Sequence, residues 1–420
     1  MSSSTSLVSN SSSKTLKSKI EKIVFGGAGL FRDQGCVVFV PFAAPNDELE
    51  VRVTQAKKDY KIAKIEKILK AGPDRIKPSC PYYTHCGGCQ LQHLKPQAQL
   101  KIKQGFLEEA FDETPPVIAS SRNWHYRSHL RLNLDKGTFG FKARDKKTLI
   151  EINECSLFLP AESHFFQILR SCLVDLKTKG SFRVFKAPAS KFVLAFSFPR
   201  KLPKNRRTLS ERLMQKLPIQ GIAMKCPNGE EHFGNIQITE SICGLDLTFS
   251  PYGFMQNNLF LIPKLYQTLV MWANPTGKSI LDLYSGVGTS SLLLAREGGS
   301  VIAIEESRAA VKCAQKNQKR NHIQNVSFVQ GRVEGALKNS KAVDLVVVNP
   351  PRTGLSQEVL EAFNTLKPQE IVYVSCMPST LKRDLIRLKD YEKHQLEGFD
   401  LFPQTTHLET MVKMVRKNLK

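Results

Sequence analysis

Three thiols crowd one short stretch: in CPYYTHCGGCQLQH the cysteines stand at 80, 86 and 89, in a 420-residue chain with ten cysteines in all. Thiols this close can form a disulfide, hold zinc or carry an iron–sulfur cluster. In a reducing compartment such a cluster points to metal or catalysis more than to disulfides. Structural zinc pairs usually keep two to four residues between cysteines, and the spacing Cys80-x5-Cys86-x2-Cys89 meets that once. Either metal needs a fourth ligand, so zinc and iron–sulfur both remain open on spacing.

A second constellation lies near the C-terminus. Cys376 closes the apolar run EIVYVSC and precedes Pro378 and a helix predicted from about Ser379. A helix N-terminus beside a thiol favours thiolate. NPPR (349–352) ends the neighbouring predicted strand, and HLET (407–410) begins the last one. A lone cysteine at a strand end is more often a small core residue. A thiol, an amide, an arginine and a carboxylate at one edge instead resemble a nucleophile with its proton acceptor.

The third constellation is DLYSGVG (282–288), where a predicted strand meets its helix. Glycines there let the backbone approach a ligand. Glu305 ends the next strand, where an acid can hydrogen-bond ribose hydroxyls. Asp282 suits the charged amino-acid part of S-adenosylmethionine. Spacing alone leaves methyltransferase and dinucleotide enzyme both open, since both use this topology.

The elements that must position these groups fall into stretches of different texture. Residues 1–12 read as a disordered serine-rich leader without the apolar core of a signal peptide. Residues 13–71 alternate short β-branched runs (37–40, 49–53, 62–68) with Gly-Gly, Asp-Gln-Gly and Pro-Asn-Asp turns, which predicts a small OB-like β-barrel with a basic face. Residues 72–253 form a central mixed α+β domain, with an amphipathic helix over about 98–112 and a basic stretch KLPKNRRTLSER (201–212). From 254 to 420 near-continuous Val/Ile/Leu strands alternate with helices, the pattern of a doubly wound, Rossmann-like parallel sheet. No internal repeat is visible. The 61 basic residues against 38 acidic ones give a net charge of +23. Such an excess predicts contact with a polyanion, nucleic acid above all. No apolar run approaches the roughly 20 residues that span a bilayer, so a cytoplasmic location is expected.

Taken in order, these motifs resemble the RNA uracil-5-methyltransferase family, and closely the branch that modifies 23S ribosomal RNA. IVFGGAGL and VVFVPFAAPNDE look like its N-terminal TRAM domain, CPYYTHCGGCQLQH like its iron–sulfur motif, and FMQNN like its FxQxN segment. NPPRTG, SCMPSTLKRD and HLETMV look like its three C-terminal signatures. The resemblance implies a [4Fe–4S] cluster on Cys80, Cys86, Cys89 and Cys155, the last from INECSLFLP, with zinc on the same thiols as the alternative. It implies S-adenosylmethionine bound at Gln256, Tyr284, Glu305 and Asn349, Cys376 as nucleophile and Glu409 as general base. It further implies a monomer acting on a flipped uridine of 23S rRNA. A transfer RNA substrate fits less well, on the barrel and the cysteine cluster. Four residues depart from the family pattern: Asn349 stands for the usual aspartate, Met377 and Thr289 for asparagines, and Arg332 near a position that is usually uncharged or acidic. Asn-Pro-Pro is also the loop of amino-group methyltransferases, and a catalytically decayed RNA-binding assembly factor is a third reading.

Overall fold

The computed structural model describes residues 15–158, 164–187, 189–337 and 341–417. The leader expected over 1–12 lies outside these residues. The chain divides into two compact units, the first comprising residues up to 84 with 89–102 and 404–406, the second residues 85–88, 103–403 and 407–420.

The first unit is a six-stranded sheet in the order Thr15–Lys19, Glu48–Ala56, Tyr60–Lys70, Cys36–Pro41, Ala28–Asp33, Lys22–Ile23. The strands expected at 37–40, 49–53 and 62–68 are all present and longer. Alternation sends Val38 and Val40, and Leu49 and Val51, to one side, where they close on Phe31 and Ala63. Each such buried side chain contributes about 1.5–3 kcal/mol. Lys64, Lys67 and Lys70 remain exposed.

The second unit holds two large sheets and a hairpin. A seven-stranded sheet runs Leu149–Glu151, Thr138–Lys142, His129–Asp135, Lys179–Lys186, Phe192–Ser197, Ile219–Cys226, Gly229–Gly234. Helices Phe165–Leu173 and Arg206–Lys216 cover one face, where Phe165 and Phe166 pack on Phe192 and Phe139. The hairpin pairs Ile238–Ile242 with Leu245–Phe249.

The last sheet has eight strands, ordered Val326–Gln330, Ser300–Glu305, Ser279–Leu283, Leu345–Val348, Glu370–Ser375, Glu409–Arg416, Tyr391–Phe399, Val117–Ile118. The first five are mutually parallel, and Glu409–Arg416 runs antiparallel to both its neighbours. Successive residues of one strand feed two cores. Ile280, Val347 and Val372 face helix Ile262–Ala273, while Leu281, Leu283 and Val348 face helix Gln357–Leu366. Burial on both faces explains the unbroken apolar runs. The first of these cores also takes Phe185, Val193 and Ala223 from the seven-stranded sheet, so the stretches expected as separate central and C-terminal domains share one core. Strand order reverses between Ser279–Leu283 and its neighbour Leu345–Val348, and a ligand crevice is expected beyond the carboxyl ends of such a pair.

Candidate active site

At that crevice Tyr284, Gly286 and Gly288 turn the chain from strand Ser279–Leu283 into helix Thr289–Arg296, all at positive φ. For tyrosine this is a costly conformation of the kind held at functional sites. Gly288 must be glycine, because a Cβ there would meet the Phe328 ring at 2.8 Å. The Gly286 N–H donates to Glu305 Oε2 at 3.0 Å, and the Ser307 N–H to Oε1 at 2.7 Å. Glu305 is thus fixed at the end of its strand with further lone pairs to offer.

Two cavities meet at Tyr284. One is lined by Phe254, Gln256, Tyr266, Gly286 and Asn349. The other, of about 450 Å³, is lined by Glu305, Arg332, Gly354 and Arg383. The four expected cofactor residues, Gln256, Tyr284, Glu305 and Asn349, therefore line two cavities that share Tyr284. Asp282 does not take the role expected for it. It is 1% exposed and accepts from the hydroxyls of Ser290 and Ser291. Burial raises its carboxyl to about 6 against those hydrogen bonds, and its work is to tie the strand to the helix. Thr289 fills the place of an asparagine by hydrogen-bonding Tyr266 at the cavity wall.

Gln256 owes its position to its neighbours. Asn257 Oδ1 accepts from the His129 N–H, and the buried Asn258 donates to Ser120 Oγ and to the Leu401 carbonyl. The two asparagines anchor the segment on both sides, leaving Phe254 74% exposed at the rim. Sequence reasoning noticed FMQNN but missed the anchoring, because the partners lie more than a hundred residues away in the chain.

The second constellation assembles as expected at the same edge. Ser375 pairs with Thr410, which sets Cys376 opposite Glu409. Glu409 is 5% exposed, and burial lifts its carboxyl to about 7, with Arg352 pulling the other way. Burial also raises the Cys376 thiol, and the Glu409 charge adds to this. Arg352 opposes both by its charge and a hydrogen bond to the thiol. The following helix was expected to favour thiolate; burial and the Glu409 carboxylate act the other way and push the thiol up from its ordinary value.

Arg352 is set in place from behind. Asp384, fully buried, accepts from the Leu355 N–H at 2.8 Å, from the Tyr373 hydroxyl at 2.7 Å and from the Arg383 guanidinium. Arg383 donates on to the Thr353 carbonyl, and Thr380 to that of Arg352. The motif SCMPSTLKRD thus carries Cys376 and, after it, a clamp on NPPRTG.

Among the described residues no group of three or more His, Cys, Asp or Glu side chains is placed to hold a metal ion. The expected cluster is thus not shown by these residues. Nor, among the described residues, is any helix long and apolar enough to cross a membrane.

The sequence profile described as tRNA (Uracil-5-)-methyltransferase matches residues 95–417. An uncharacterized RNA methyltransferase of Protochlamydia amoebophila is 36% identical over 423 residues, covering 94% of this chain and 96% of the relative. The 23S rRNA (uracil(1939)-C(5))-methyltransferase RlmD of Shewanella denitrificans is 32% identical and covers 92% of each chain. Among solved structures, the Pyrococcus abyssi tRNA (uracil-54, C5)-methyltransferase in complex with S-adenosyl-L-homocysteine superposes with a TM-score of 0.79 at 25% identity. It covers 95% of this chain and 100% of that one.

Proposed function

The chain belongs to the RNA (uracil-5-)-methyltransferase family, and from that premise we propose that it forms 5-methyluridine in 23S ribosomal RNA through a covalent bond between Cys376 and the target base. The observation that carries this is the convergence of Cys376, Arg352 and Glu409 at one sheet edge, beside the cavity lined by Gln256, Tyr284 and Asn349.

Carbon 5 of uracil is a poor nucleophile. Attack of the Cys376 thiolate on carbon 6 forms the S–C6 bond and moves the double-bond electrons toward the C4 oxygen as an enolate, which makes carbon 5 nucleophilic. S-adenosylmethionine, the methyl donor of this family, supplies an electrophilic methyl group when bound. Arg352 lies where its charge and hydrogen bond stabilise the thiolate. Glu409, with a carboxyl near 7, is matched to taking the carbon 5 proton at neutral pH. Breaking the S–C6 bond then restores the aromatic ring and frees Cys376. A stacked base cannot reach a thiol at this depth, so the uridine must be flipped or single-stranded.

The ribosomal assignment rests on the 32% identity to an enzyme named for 23S rRNA. The strand-rich first unit does not argue against transfer RNA, since a transfer RNA enzyme is matched over its full length. The test is nucleoside mass spectrometry after incubating labelled S-adenosylmethionine with unmodified large-subunit RNA and, separately, transfer RNA. Label in 5-methyluridine of the ribosomal RNA is expected, and none with Cys376→Ala. Label from the Cys376→Ala protein, or label in an amino-methylated base, overturns the mechanism; label in transfer RNA alone overturns the substrate.

The four thiols Cys80, Cys86, Cys89 and Cys155 carry a second, separate part of the proposal, a [4Fe–4S] cluster of structural duty. It rests on the donor set, four soft thiolates of the type such clusters take, and no catalytic step passes through it. Anaerobically isolated protein is expected to hold about four iron and four sulfide per chain. Zinc alone, or no metal, overturns it.

A further inference from the structure

We propose that the open rim of the seven-stranded sheet, built from Arg131, Arg183 and Lys225 around Tyr252, is the surface that grips the ribose–phosphate backbone of the substrate RNA next to the target uridine. This rests on the reading of the protein as an RNA methyltransferase and assigns one site to that substrate.

The first observation is register. Arg131 on strand His129–Asp135 lies directly opposite Arg183 on strand Lys179–Lys186, so both side chains leave the same face of the sheet. Two like charges in directly paired positions destabilise a sheet. Among the described residues no carboxylate forms an ion pair with either arginine or with Lys225. Burial and the Arg131 charge both disfavour the charged form of Arg183; for Lys225 burial does so first and the two arginines add to it, against the pull of Glu230. Glu230 lies across from Lys225 and is engaged by His232 at 2.6 Å. A cluster of three cations assembled against its own repulsion is what an external anion would satisfy.

The second observation is how the cluster continues into the active site. Pairing carries the face from Arg183 across Ala195 to Ala223, and Lys225 follows two residues on, on the same side. Its ammonium sits 4.1 Å above the Tyr252 ring. The Tyr252 hydroxyl donates to the Phe196 carbonyl at 3.0 Å, and Arg183 donates to the carbonyls of Pro251 and Gly253. The cations are therefore fastened to the segment 251–253, which runs at once into the exposed Phe254 and into Gln256 of the cofactor cavity. Asn133, Ser181 and Ser197 lie on the same face, half-buried, and add hydroxyl and amide donors. Charge, donors and one aromatic ring fit the phosphates and sugars of a strand, contacts that position RNA without reading its sequence.

The experiment is filter binding of unmodified large-subunit RNA by the full-length protein over a salt series. Arg131→Gln and the double variant Arg131→Gln/Lys225→Gln are compared with Arg207→Gln, which removes an equal charge from the helix-covered side. The single variant is expected to weaken binding about fivefold at physiological salt and to lower the log–log salt slope by about 0.7–0.9, the double by roughly twice that. Arg207→Gln should leave the slope unchanged. Affinity for S-adenosylmethionine, measured by calorimetry, should be wild-type throughout. The Tm of Arg131→Gln should hold or rise, because a repulsion has been removed. Slopes equal to those of wild type or of Arg207→Gln, while wild-type protein still labels uridine, overturn this surface and leave the function standing. A wild-type protein that labels no uridine removes the premise, and the surface with it.

Discussion

Glu409 is a carboxyl whose usefulness and cost have one origin. Burial raises it to about 7, where it can accept a proton in neutral solution. The same burial means that the folded protein holds this proton more tightly than the unfolded chain, for which the ordinary value is 4.5. The contribution to stability is therefore complete below about 4.5 and is lost as pH rises through about 7. Two consequences can be measured. kcat/KM should rise with pH on an acid limb centred near 7. Glu409→Gln should abolish turnover while raising stability above pH 7 by about 2–3 kcal/mol in denaturant titration. A variant that stays active, or one less stable than wild type at high pH, would remove Glu409 from the role of buried base. Cys376 follows the same logic with the opposite sign of usefulness. Burial and Glu409 push it up, and Arg352 and a backbone hydrogen bond at Cys376 itself oppose them.

Helix Pro378–Arg387 follows Cys376, the proposed nucleophile, and its main service is mechanical. Its buried Asp384 gathers Tyr373 from strand Glu370–Ser375, the Leu355 amide of the Arg352 loop and the neighbouring Arg383. Gly354, at φ 78°, lies so close that an added Cβ would stand 2.4 Å from both Asp384 Oδ2 and Thr380 Cγ2. Asp384→Asn turns a donor toward groups that themselves donate. It is expected to cost about 2–3 kcal/mol and, by loosening Arg352, to lower kcat/KM. Equilibrium unfolding alongside steady-state kinetics checks both, and unchanged stability would show that the clamp is dispensable. The strand, the loop after it and the helix were legible in the sequence from apolar runs, Pro-Pro and Pro378. The clamp was not, because Asp384 and Leu355 lie 29 residues apart with nothing in either to mark the other.

Over the whole molecule, the charge of +23 predicted a polyanion but not where it binds. The stretch most basic to the eye, 201–212, enters a helix from Arg206 on, at the covered side of its sheet. There Arg206 pairs with Glu231, and Arg212 with Asp175. Arg131, Arg183 and Lys225, scattered over about a hundred residues, are gathered only by strand pairing. The sequence by itself determined the class of fold and the family, because apolar periodicity and local motifs are short-range properties that survive in one dimension. It also marked the residues proposed as nucleophile and base, and four proposed cofactor residues that line adjoining cavities. Tertiary structure alone decided that Asp282 is a buried tie, that burial pushes the Cys376 thiol up, and which cations strand pairing gathers. Each of these depends on burial and on partners distant in the chain, and desolvation and charge–charge energies are fixed by distance in space, which spacing along a sequence does not encode.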